Sequence, residues 1–114
     1  MSVSVSDGPA IVAGYEYRLQ LEADSAVFPA GCALAAQVRA KVSDSAIIAA
    51  LTTGNGGLAR ISDTVIEIVI PPAATASLPP GSVVMDMVRT DLEPDRHLNF
   101  TIEIPVVRPV TRGL

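Results

Sequence analysis

Several residue types are scarce in this chain of 114 residues: tryptophan is absent, cysteine, histidine and lysine occur once each, and two tyrosines and two phenylalanines are the only aromatics. Each scarcity excludes something. A lone cysteine, Cys32, cannot close an internal disulfide, so the fold does not rest on the covalent staples of small secreted domains. With one histidine and one cysteine, neither beside an evident partner, the chain offers no nucleophile and base pair and no metal-ligand spacing. So few aromatics leave little for stacking on sugars. No apolar run approaches the roughly 18 residues of a membrane-spanning helix, so no membrane partner is expected. The net charge of −4 lacks the basic stripe of a phosphate-backbone reader, so nucleic acid is not an expected partner either. The opening residues Met1 to Asp7 show neither a basic nor an apolar stretch of the kind a secretory signal carries, and none is expected.

What is present is apolar. Hydrophobic residues make up 49% of the chain and charged residues 18%, enough burial potential to offset the entropy of ordering. The length fits one domain over residues 1–114, with extended segments at 1–12 and 105–114, and is too short for most elaborate enzymes. In so small a domain an apolar excess with few charges implies that other subunits cover part of the exterior.

Nine prolines and eight glycines divide the chain into segments of period two rather than 3.6. From Tyr15 to Glu22, Tyr15, Tyr17, Leu19 and Leu21 alternate with Glu16, Arg18, Gln20 and Glu22, which reads as a half-buried antiparallel strand. Leu34 to Lys41 repeats the pattern. Thr53-Gly-Asn-Gly-Gly57 supplies the residues of tight turns, which predicts that Ile47–Leu51 and Leu58–Ile61 pair as a hairpin across it. Thr64–Ile70 is a strand ended by Pro71-Pro72, and Ala73 to Leu78 suits one short helical turn. Ser82–Thr90 is apolar on both faces, and so is either central or covered from outside. His97–Val106 alternates Leu98, Phe100, Ile102 and Ile104 with polar residues. The expected fold is all-β: an immunoglobulin-like antiparallel β-sandwich of about seven strands with one short helical crossover. That count includes one short strand at Val3–Val5 or Ala10–Ala13.

Residues that could carry chemistry have simpler readings. His97 opens a strand after a charged loop, where a solvated histidine is ordinary. Asp91, Glu93 and Asp95 lack the central glycine and closing glutamate of a calcium loop and read as an acidic hairpin tip. Gly54 to Gly57 is followed by no lysine and is a turn, not a phosphate cradle. The chain is therefore not expected to be an enzyme, and no cofactor or metal is expected.

The segments Tyr15-Glu-Tyr-Arg-Leu, Ala33-Leu-Ala-Ala-Gln-Val-Arg39, Ile66 through the Ala-Thr-Ala-Ser-Leu-Pro-Pro-Gly81 crossover, and Val84-Met-Asp-Met-Val88 together resemble small β-sandwich virion proteins of tailed bacteriophages, akin to the N-terminal domain of baseplate upper proteins. The resemblance covers most of the chain from Tyr15 onward. It rests on the crossover, on the aspartate of the following strand (Asp86), and on an ending near Val110-Thr111-Arg112. The chain departs from the pattern at Val84, where such proteins often carry tyrosine. The resemblance implies a non-enzymatic virion protein of the tail, baseplate or fibre attachment. It would be assembled in the host cytoplasm in several symmetric copies, with copies of itself and other virion proteins as partners. A head decoration or head-to-tail connector protein is the alternative within that class, and a bacterial sugar- or protein-binding module is the alternative outside it. The interface is expected at Val3, Val5, Val84, Val88, Val106, Arg108, Val110 and Arg112, the alternating or apolar positions of the termini and of the apolar strand.

Overall fold

The computed structural model describes residues 3–5 and 10–111. Among these, nine strands and one helical turn follow in order: β1 (Val3–Val5), β2 (Ile11–Val12), β3 (Tyr17–Ala23), β4 (Leu34–Arg39), β5 (Ala49–Thr52), β6 (Leu58–Arg60), β7 (Val65–Ile70), α1 (Pro72–Thr75), β8 (Gly81–Arg89) and β9 (Arg96–Val107). They form two sheets, ordered β1-β3-β7-β6 and β2-β9-β8-β4-β5. In immunoglobulin letters the first reads A-B-E-D and the second contains G-F-C, with β5 beside C where variable-type domains place C′. All pairings are antiparallel except that of β2, which runs parallel to the end of β9, Ile11 opposite Val106 and Val12 opposite Val107. Both short N-terminal segments are strands, each on a different sheet, and this raises the count above seven.

Alternation decides the faces. Leu19 and Leu21 of β3, Ile66, Ile68 and Ile70 of β7, Leu34 and Val38 of β4, and Val83, Met85 and Met87 of β8 are all essentially without solvent exposure and meet between the sheets. The double-sided apolarity of β8 follows from its place: it lies between β9 and β4, so neighbouring strands half-cover its outward Val84 and Val88. After β7, Pro72 occupies the first turn of α1, where its missing N–H costs nothing.

Three expectations are corrected. Ala49–Thr52 and Leu58–Arg60 do not pair: β5 binds β4 in one sheet and β6 binds β7 in the other, so the glycine-rich segment between them turns a corner of the sandwich. The cause is local. Asn55 spends its side chain on the loop, its Oδ1 accepting from the Thr52 and Gly57 N–H groups at 2.9 Å each, instead of serving as a two-residue turn. Gly57 completes the corner, because a Cβ there would lie 2.8 Å from the Leu51 side chain. Tyr15 does not begin β3. Gly14, at φ 90°, bends the chain before it and leaves Tyr15 40% exposed. Val106, expected at the interface, points into the core and is 3% exposed, because it continues the inward alternation of Leu98, Phe100, Ile102 and Ile104 along β9.

Candidate functional site

The richest surface lies where the chain leaves β9. Val107 and Val110 are 45% and 96% exposed, Arg108 is exposed, and the segment from Arg108 to Thr111 runs as a strap away from the sheet. It is fastened at both ends. The Val107 carbonyl accepts a hydrogen bond from the Ala13 N–H at 3.0 Å, and the Tyr15 hydroxyl donates to the Thr111 carbonyl at 2.8 Å. Clefts open beside the strap. One, of about 360 Å³, is walled by Ala13, Leu78, Pro80, Val107 and Arg108. The other, more open and about 630 Å³, is walled by Val12, Tyr15, Tyr17, Pro109 and Val110.

Tyr15 is held in turn by Thr75. The Thr75 side chain is fully buried, its hydroxyl donating to the Tyr15 carbonyl at 2.7 Å and accepting from the Gly14 N–H at 3.1 Å. One hydroxyl thus ties α1 to the turn between β2 and β3 and sets the residue that carries the strap. A buried threonine so placed uses both of its hydrogen-bonding capacities.

A second surface is the outward face of the five-stranded sheet. Cross-strand register sets Ala35 beside Val88, Gln37 beside Asp86 and Arg39 beside Val84. Asp86 and His97 join across β8 and β9 at 2.8 Å, over an irregularity where β9 carries more residues than β8 and Asn99 takes φ 63°. The Asn99 N–H donates to His97 Nδ1 at 2.8 Å, so Nε2 carries the proton given to Asp86. Both side chains are over 40% exposed, and the pair serves as a cross-strand tie at the irregular step of the hairpin.

The acidic tip of that hairpin is also tied back. Arg89 donates to both carboxylate oxygens of Asp91 at 3.1 and 2.6 Å, and this hydrogen bonding holds the Asp91 carboxyl below the usual carboxylate range. Among the described residues no three histidine, cysteine or acidic side chains gather as a metal site. Cys32 is half-buried and packs on the core.

The expected interface positions are thus distributed over four places. Arg108 and Val110 lie on the strap, Val106 sits beneath it in the core, Val84 and Val88 lie on the outward face of β8, and Val3 and Val5 belong to β1 at the edge of the other sheet. Arg112 lies outside the described residues. Sequence reading missed Thr75, since a lone threonine in an alanine-rich turn carries no periodic signal. It also misplaced Tyr15, whose aromatic ring continued an alternation that Gly14 interrupts.

No protein-family model matches the chain, and no match is found among curated proteins.

Proposed function

We propose that the chain is a non-enzymatic structural protein of a bacteriophage virion, a component of the tail, baseplate or fibre attachment present in several copies. The observation that carries this reading is the strap: Val107 and Val110 stand exposed on one segment that the Ala13 N–H and the Tyr15 hydroxyl fasten at its two ends, so the apolar contact surface is held in a fixed pose. The sandwich supplies a rigid body, and Val107 and Val110 supply contact surface. The resemblance of the crossover and of the β8 segment to phage β-sandwich proteins supports the virion assignment.

Sedimentation of the purified chain, alone and with the products of neighbouring genes, tests the contact surface. The wild type should form a species of fixed stoichiometry with itself or with one of those products. The double substitution Val107→Asp and Val110→Asp should weaken that association at least about tenfold while leaving the melting temperature nearly unchanged, since it buries unpaired charge only in the complex. A chain that remains a monomer in every mixture contradicts the reading.

A further inference from the structure

The corner between the sheets does more than turn the chain. Strand β5 ends the five-stranded sheet, and an edge strand offers a row of unpaired backbone groups to any passing strand. The Thr53 N–H donates to the Leu34 carbonyl at 3.1 Å, so residues 49, 51 and 53 turn their backbone groups toward β4, and Ala50 and Thr52 turn theirs away. Two of those outward groups are taken. Asn55 Oδ1 accepts from the Thr52 N–H at 2.9 Å, and Asn55 Nδ2 donates to the Ala50 carbonyl at 3.1 Å. Accepting at one residue and donating two residues earlier is the pair of bonds that a strand laid on this edge would make. The amide is clamped in that pose, because its Oδ1 also accepts from the Gly57 N–H and the Asn55 backbone N–H donates to Thr52 Oγ1 at 3.0 Å.

We infer that the Asn55 amide is an edge guard that stands in for a neighbouring strand, and that the strand it excludes is β5 of a second copy. The spacing favours that occupant. Two β5 strands related by a two-fold axis place Ala50 of each opposite Thr52 of the other, so that four backbone hydrogen bonds close the pairing. Two of the four need the Thr52 N–H and the Ala50 carbonyl, the groups that Asn55 holds. Beside this edge lies a cleft of about 210 Å³, lined by Ala50, Leu51, Asn55, Val69 and Pro71, so there is open space next to the amide. Assembly is thereby directed away from this edge. The inference stands on the geometry of the corner alone and does not depend on the virion reading.

The test compares association constants by sedimentation velocity for the wild type, Asn55→Ala, and Asn55→Ala combined with Thr52→Pro. Opening the edge should raise self-association at least tenfold. Proline at 52, which removes the outward N–H together with the Oγ1 that accepts from the residue-55 N–H, should return it to the wild-type level. Association through any other surface is common to all three proteins and cancels in the comparison. Native-state hydrogen exchange of the wild type decides the matter independently of how the variants fold: the Thr52 amide should exchange at least a hundredfold more slowly than its intrinsic rate. A folded Asn55→Ala that associates no more than the wild type overturns the inference, and so does a Thr52 amide exchanging at its intrinsic rate.

Discussion

Replacing Phe28 with alanine should lower the unfolding free energy by about 3–5 kcal/mol, the range for truncating a fully buried aromatic. Phe28 lies in the connection from β3 to β4, where the chain crosses from one sheet to the other, and it has no solvent exposure. Its backbone is held on both sides: its N–H donates to the Asp63 carbonyl at 2.9 Å, and its carbonyl accepts from Arg60 Nε at 2.7 Å. These bonds fix the loop, so the space left by the ring cannot close by a simple shift of the backbone, and the cavity term adds to the lost transfer energy. Small domains have about 5–15 kcal/mol in total, so the variant should be close to unfolding at 37 °C. Urea denaturation measures the difference, and a loss below about 1 kcal/mol would show that the loop collapses onto the gap.

Thr75→Val should cost about 1–3 kcal/mol while keeping shape and volume nearly constant. The loss comes from polarity: the Gly14 N–H and Tyr15 carbonyl lose their shared partner, and valine offers neither a donor nor an acceptor. The effect should extend to the strap, since Tyr15 bonds the Thr111 carbonyl. Hydrogen exchange at Gly14 should accelerate in the variant beyond what the global loss of stability explains. Thr75→Ser, which keeps the hydroxyl, should preserve Gly14 protection and lose stability only through the missing methyl. Equal exchange at Gly14 in the serine and valine variants would assign the threonine a packing role alone.

Most of the sandwich is readable in the residues, because its long strands carry a period of two that burial follows. Leu19, Ile68 and Met85 point inward where alternation places them. Periodicity fails where a single polar or small residue decides the path. Asn-Gly is a hairpin signal in a chain whose next strand lies beside the last, but here the next strand belongs to the opposite sheet and the asparagine closes a corner. Gly14 cuts the alternation that would have buried Tyr15, and the strap depends on that break. Val106 obeys the alternation of Leu98 to Ile104 and so lies inside, although it stands at the head of the proline-spaced tail expected to make contacts. The parallel pairing of β2 with the end of β9, by contrast, leaves no local trace. The proposed contact surface is legible only in part: Val110 and Arg108 follow from a proline-spaced tail, whereas Tyr15 and Thr75, which hold that tail in place, emerge from the folded arrangement.

The proposed place of the chain in a virion is decided by fractionation. Particles released from cells that carry the gene would be purified, separated into heads and tails, and probed for this chain together with its copy number relative to the major capsid protein. Retention with the tail fraction at a fixed number of copies above one is the expected result. Retention with heads would contradict the tail assignment in favour of a decoration or connector role, and absence from both fractions would contradict the virion claim itself.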